Sequence, residues 1–296
     1  MTAQVQEGLQ ELLALWRSLG LGPVEKNIVL ALLLGLAFFV VVLVVERATR
    51  TRGTEYRSKD FLFDGVYWVW YRSGLNYLWF IALIFPSLEY PIPWLDQQLL
   101  RPYPIAVQAL LFFLVSDFYV YWAHRAMHRF APLWAIHTAH HAPERLTFAS
   151  SARFHPIEIA LFYIGSYLLV RLSGSDPLAW MPVLVFMEIM LQAQHTNIPW
   201  RLGPFYRILV TPTFHRFHHS RDPAHFDHNF GGVLSLWDHL FGTALPQRGP
   251  WPTALGVEGV RHDTLWSTLA HPLRLALRRR GRHAAAAAPG VVVERT

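Results

Sequence analysis

The chain has 296 residues, of which 53% are hydrophobic and only 16% charged, against roughly 25% charged in ordinary soluble domains. It contains no cysteine, which excludes disulfides, cysteine-ligated iron–sulfur clusters and zinc ribbons, so any metal must be held by His, Asp or Glu. The formal charge of +6 is concentrated in runs at 47–59 and 274–282 that flank apolar stretches; this suits a membrane surface, and with no recognition module in view it argues against nucleic acid as a partner.

Residues 1–26 carry Leu9, Leu12, Leu13, Trp16 and Leu19 at helical spacing, which predicts an amphipathic segment lying on the bilayer. The apolar run 27–45 has no charge from Ile28 to Val45, about enough to cross the roughly 30 Å hydrocarbon layer. Polar and acidic residues precede it and no small-residue cleavage site follows, so it is expected to stay as an anchor. Arg47, Arg50, Arg52, Arg57 and Lys59 come next and place this side in the cytoplasm by the positive-inside rule.

Further apolar stretches cover about 75–94, 105–123, 157–172 and 178–193. The stretches 75–94 and 157–172 are short or broken by proline and are expected to tilt, kink or insert only partly. Two successive hairpins would bring the histidine-rich segments after residue 123 to one membrane face, the cytoplasmic one. The expected architecture is therefore all-α, with four to five membrane-embedded helices: N-terminal membrane helices over 27–104 and a catalytic domain over 105–248. A cytoplasmic helical cap within 197–248 would carry a dimetal site, and a basic, partly disordered tail would occupy 249–296, low in complexity at Ala284 to Ala288.

Sixteen histidines are present, and eight fall into three tight patterns: His124-x3-His128, His137-x2-His140-His141 and His215-x2-His218-His219. Residues three and four apart share one face of a helix, so each pattern aims two or three imidazoles at one point. Solvated or core histidines are the alternative, and His225, His228, His239, His262, His271 and His283, which lack mutual spacing, are left to it. Eight imidazoles exceed the four positions of one tetrahedral zinc, so at least two ions are implied; imidazole suits iron, zinc, copper and nickel alike. Neither the H-E-x-x-H zinc helix nor the E-x-x-H pairs of soluble diiron bundles occur here.

The segments His124-Arg125-Ala126-Met127-His128, His137-Thr138-Ala139-His140-His141 and His215-Arg216-Phe217-His218-His219 resemble the three histidine boxes of the fatty acid hydroxylase and sterol desaturase superfamily. Asn229-Phe230-Gly231 and Trp237-Asp238-His239-Leu240-Phe241-Gly242-Thr243 resemble its closing N-Y/F-G and W-D-x-x-F-G-T motifs, in the right order over about 116–243. His155-Pro156-Ile157-Glu158 resembles the H-P-x-E stretch of the sterol-modifying branch, and His195-Thr196-Asn197 the single histidine after the last membrane hairpin. The resemblance thus implies ten metal ligands: His124, His128, His137, His140, His141, His155, His195, His215, His218 and His219.

Asp117 lies two turns before His124 on nearly the same face and is expected to orient a ligand imidazole, with Glu158, Asn229 and Asp238 as further supporting groups. Glu188 and Gln192 fit interhelical polar contacts. The resemblance also implies two iron ions, O2 as co-substrate and removal of hydrogen from a bilayer lipid, sterol-like or fatty-acyl, to give an alcohol or a double bond. Phe148, Phe154, Phe214, Phe217 and Phe230 are candidates for a lipid-lining wall, with ordinary packing as the alternative.

No flavin fingerprint or haem module is present, so electrons must come from a separate donor: a ferredoxin, a cytochrome or a reductase. Zinc could replace iron in purified protein, because nitrogen sites hold it more tightly than Fe2+. Competing readings are a zinc-binding membrane transporter and a zinc-dependent membrane hydrolase; ligands placed at span ends rather than inside the spans favour the oxygenase. Such an enzyme would sit in a bacterial inner membrane.

Overall fold

A computed structural model describes residues 23–49, 56, 58–72, 90–246, 250–260 and 264–286. Positions 1–22 of the expected amphipathic segment 1–26 and the last ten residues, 287–296, lie outside these; positions 23–26 open α1. So do positions 73–89, which hold most of the expected span 75–94; its last residues, 90–94, are irregular.

The described chain is helical: α1 (Pro23–Ala48), α2 (Lys59–Arg72), α3 (Ile105–Arg129), α4 (Ala131–His141), α5 (Pro156–Ser173), α6 (Pro177–Gln194), α7 (Pro212–His218), α8 (Leu236–Leu240) and α9 (Leu265–Ala286). Two isolated bridges, Leu209 to Leu234 and Ser220 to Leu255, are the β-type pairings among the described residues. Among the described residues, three helices, α3, α5 and α6, are long and apolar enough to cross a membrane. Their outer faces carry exposed Leu110, Val115, Ile164, Leu168, Val185 and Phe186, a surface that belongs in hydrocarbon rather than water. α1 contains the uncharged run 28–45 and likewise exposes Leu33, Leu36, Val40, Val41 and Val44.

Capping explains where the spans begin and end. The Asp176 carboxylate accepts from the Leu178 N–H at 2.8 Å and Pro177 fills the first turn of α6, where a missing N–H costs nothing. α5 ends at Gly174, whose φ of +56° suits glycine, and an added Cβ would meet the Gln98 backbone at 2.8 Å. Gly165 lets the Tyr119 ring lie against α5, so α3 and α5 approach closely. α3 packs on α4, α5 and α6, and its buried stripe runs Phe112, Ser116, Asp117, Tyr121, His124 and Met127. That stripe aims the first histidine box inward.

One expectation about the rest of the chain needs correcting. The segment 197–248 is not a helical cap: apart from α7 and α8 it is turns and short 3-10 pieces, because Pro199, Pro204, Pro212, Pro223 and Pro246 and several glycines interrupt any longer helix. Within the basic tail, α9 runs through Ala286, in keeping with the high helix propensity of Ala, Leu and Arg.

Candidate metal centre

Nine of the ten expected histidines converge, in two groups. His124, His128, His137, His141 and His218 form one, and His140, His195, His215 and His219 the other; within each group one ring nitrogen per residue lies within 4.8 Å of all the rest. The groups share elements, since α4 sends His137 and His141 to the first and His140 to the second. α3 supplies His124 and His128. α7 begins at Thr211, whose hydroxyl accepts from the Phe214 N–H at 3.0 Å, and it delivers His215 and His218 with His219 as its final cap. His195 caps the C-terminus of α6.

For His124, His218, His195 and His137, hydrogen bonds fix which nitrogen faces inward. The Nδ1–H groups of His124, His218 and His195 donate to the carbonyls of Phe230 (2.9 Å), His228 (2.8 Å) and Leu191 (2.7 Å), and that of His137 donates to Glu158 at 2.6 Å. Each bond places the proton on Nδ1 and leaves the Nε2 lone pair pointing into the cluster. These Nε2 atoms meet their own kind: His140 to His195 at 3.2 Å, His195 to His215 at 3.0 Å, His215 to His219 at 3.0 Å, and His141 to His128 and His137 at 3.1 Å each. The Nε2 atoms of His124 and His218 are buried with no hydrogen-bond partner.

This donor set fits metal ions. Ligand nitrogens about 2.1 Å from an ion stand about 3.0 Å apart at right angles and about 3.4 Å apart in a tetrahedron, which brackets the observed spacings. Lone pairs aimed at one another in a dry site repel unless a cation lies among them. Burial also holds the imidazoles neutral, the form a metal needs: it pushes His137, His140, His141, His215, His218 and His219 well below the ordinary range and His195 down to about 4.

A pH dependence follows from those shifts. An unfolded imidazole titrates near 6.5 and a folded one far lower, so this part of the fold's stability is complete above about pH 6.5 and is lost as pH falls below it, by about 1.4 kcal/mol per pH unit for each group. Asp64, which burial pushes up to about 7 against the pull of Arg153, and Asp238, also raised by burial, act with the opposite sign and temper the slope without reversing it. Metal-free protein in detergent should therefore melt at progressively lower temperature as pH falls from about 6.5 to 5.5. A flat or rising profile in that window would contradict neutral burial of the cluster.

His155, expected as a tenth ligand, lies in neither group. It is the N-cap of α5: its Nδ1 accepts from the Ile157 N–H at 3.2 Å and its Nε2 faces the Leu269 carbonyl at 3.4 Å, so both nitrogens are engaged away from the cluster. Glu158, in the same H-P-x-E stretch, is the residue that reaches the site, through His137. His225, His228 and His239 also stay outside both groups.

Asp117 touches no imidazole, contrary to expectation. Its carboxylate accepts from the Val233 and Leu234 N–H groups (2.7 and 3.0 Å) and from Trp237 Nε1 (2.9 Å), which pins the loop 229–238 to α3. Asp238 accepts from the Phe230 and Gly231 N–H groups and from the Thr243 hydroxyl (2.8, 2.7 and 2.7 Å), and Thr243 bonds Tyr121 at 2.9 Å. Asn229, with φ at +62°, donates to the Phe214 carbonyl and accepts from the Leu245 N–H. Gly231 and Gly232 leave no room for a Cβ against Asp238 and Asp117. The closing motifs are thus a clamp, and what the clamp presents is backbone: the carbonyls of His228 and Phe230 that orient His218 and His124. Sequence reading found the clamp residues and missed those carbonyls, because a carbonyl leaves no mark in residue identity.

The aromatic candidates separate. Phe154 stacks on the His140 ring at 4.8 Å and Phe230 lies 5.1–5.8 Å from His124, His128 and His218, whereas Phe148 packs on Phe39 and Trp68, and Phe214 and Phe217 are core. Gln192 accepts from Trp68 Nε1 and Glu188 from the Tyr71 hydroxyl, interhelical contacts as expected. A cavity of about 490 Å³ reaches the five-histidine group past Trp134 and Phe226, with Arg221, Asp227 and Glu258 on its polar side.

Comparison with known proteins agrees with this geometry. Residues 109–243 match the model of the fatty acid hydroxylase family. An ornithine lipid hydroxylase of Rhizobium tropici is 34% identical over 193 residues, 63% of this chain and 55% of that protein. An alkylglycerol monooxygenase of Caenorhabditis elegans is 34% identical over 147 residues, 50% of this chain and 28% of that protein. A methylsterol monooxygenase of Aspergillus fumigatus is 31% identical over 177 residues, 55% of each. The chain thus spans about half the length of these relatives or less, and no solved structure matches it. All nine converging histidines fall inside residues 109–243, the segment that is similar to the fatty acid hydroxylase family.

Proposed function

We propose that the protein is a membrane-bound diiron oxygenase that hydroxylates or desaturates a lipid with O2 and externally supplied electrons. The observation that carries this reading is two adjoining groups of buried, neutral imidazoles at the ends of apolar helices, with nine ring nitrogens turned inward. His124, His128, His137, His141 and His218 would hold one iron and His140, His195, His215 and His219 the other; the bound pair supplies O2 activation at an unreactive C–H bond. The monooxygenase and hydroxylase relatives that act on lipids support this chemistry over a zinc transporter or hydrolase, for which no observation speaks.

The chain's own residues have three tasks in that reaction. Glu158 and the carbonyls of Phe230, His228 and Leu191 keep the ligand imidazoles in the tautomer that binds metal. Phe154, Phe230 and Trp134 wall the cluster with apolar surface, which excludes water and suits a hydrocarbon chain. The spans α3, α5 and α6, with α1 as a fourth and 75–94 as a fifth, would bring the lipid to the site from the bilayer. We place the centre and its irregular cover on the cytoplasmic side of a bacterial inner membrane, from the Arg47 to Lys59 charges, where a ferredoxin, cytochrome or reductase would deliver electrons.

The test is purified, iron-loaded protein in bilayer vesicles with a reducing system and O2. Lipid mass spectrometry should show a gain of about 16 Da or a loss of about 2 Da that needs all three additions. Product formed without O2 or reductant would refute the oxygenase.

A further inference from the structure

The tail helix α9 takes no part in the metal centre, yet its placement is specific. It packs against α4, the helix carrying His137, His140 and His141. Thr268, near the start of α9, is buried. The Leu269 carbonyl lies 3.4 Å from His155, the residue that caps the start of span α5. α9 therefore lies at the level where an apolar span begins, on the face where α3 and α6 end in their histidines. Its opposite side is left uncovered: Leu265, Trp266 and Leu273 are 40%, 72% and 63% exposed, and Trp266 and Leu273 are two turns apart on one face. Arg274 is exposed beside them, and the sequence continues with Arg278, Arg279, Arg280 and Arg282.

We infer that α9 is an in-plane membrane helix that seats Trp266 and Leu273 in the headgroup region of an anionic leaflet, with the arginine run binding the lipid phosphates. Apolar residues beside a run of cations are what an anionic interface binds: burial of the ring and leucine adds to roughly 1 kcal/mol per arginine near the surface. A soluble protein partner would need no contact with the cap of a span, whereas a leaflet surface lies at that level of necessity. The inference rests on the membrane reading of α5 and not on the chemistry of the metal centre. Because α9 supports α4, the leaflet would help hold the ligand helix in place.

The chain has no cysteine, so a single introduced one gives a unique fluorescent label. Four full-length variants, Trp266→Cys, Leu273→Cys, Val185→Cys on the exposed face of span α6 and Glu258→Cys on the polar side, are labelled and placed in vesicles with and without phosphatidylglycerol. Neutral acrylamide is the aqueous quencher. In anionic vesicles the labels at 266 and 273 should be quenched several-fold less than at 258 and approach the protection at 185. Changing Arg274, Arg278, Arg279 and Arg280 to Gln should remove the dependence on anionic lipid. Labels at 266 and 273 quenched as strongly as at 258, while 185 stays protected, would overturn the inference. Strong quenching at 185 as well would instead overturn the membrane reading. Protection at 266 and 273 that persists in detergent, independent of anionic lipid, would point to a protein contact and also overturn it.

Discussion

Replacing His140 or His218 by alanine should abolish turnover while leaving the protein in the membrane. The two residues come from different groups: His140 meets His195 at 3.2 Å in the four-histidine group, and His218 belongs to the five-histidine group with its Nε2 buried and unpartnered. Losing a supporting residue behind a ligand costs roughly 10–100-fold in metal affinity or activity, so losing the ligand itself should cost well over 100-fold. Neither substitution touches the outward apolar faces of α3, α5 and α6, so detergent extraction and yield should stay close to wild type. Both variants retaining full activity with normal metal content would remove the basis of the proposal.

The second large effect is expected far from any lone pair. Asp117→Ala removes an acceptor that binds three donors, two of them backbone N–H groups, in a fully buried position. Each donor left unsatisfied costs about 1–3 kcal/mol, so a loss on the order of 3 kcal/mol or more is expected, a large share of a domain's stability. The damage should be directional, because the loop that Asp117 pins carries the Phe230 carbonyl that orients His124. Metal affinity should therefore fall along with thermal stability, and excess iron should recover part of the activity. A variant that melts at the wild-type temperature and keeps its metal would show that the clamp is not needed to aim the ring.

Much of the site was legible in the sequence because helical spacing is itself geometry. Histidines three and four apart on α3, α4 and α7 share a face, and the stripe of α3 that buries Phe112 and Tyr121 buries His124 with them. The pattern said which residues would converge and that one ion could not use them all. It could not say how they divide: α4 splits its box between the two groups, sending His140 one way and His137 and His141 the other, which depends on how the helix is rotated against its neighbours. His155 shows the opposite failure. A histidine before a proline at a helix start satisfies the N-cap pattern as well as a ligand motif, and here the cap prevails while Glu158, one turn on, reaches the cluster.

Among the described residues, the fold was legible where apolar runs were long, as in α1, α3, α5 and α6. It was less so after 197, where prolines and left-handed positions such as Leu202, Asp227 and Asn229 turn the expected cap into loops braced by Asp117 and Asp238. Those loops are long-range constructions. Asp117 and Leu234 are 117 positions apart in sequence, a separation over which periodicity carries no information.

The central claim is that nine imidazoles form two distinct metal positions. Metal analysis of the full-length protein after iron loading, combined with X-ray absorption at the iron edge, tests it most directly. The account predicts two irons per chain with a shell of nitrogen and oxygen neighbours, falling to about one in His140→Ala as the four-histidine position empties. A single iron per chain in the wild type, or two irons retained after both His140 and His218 are replaced, would contradict it.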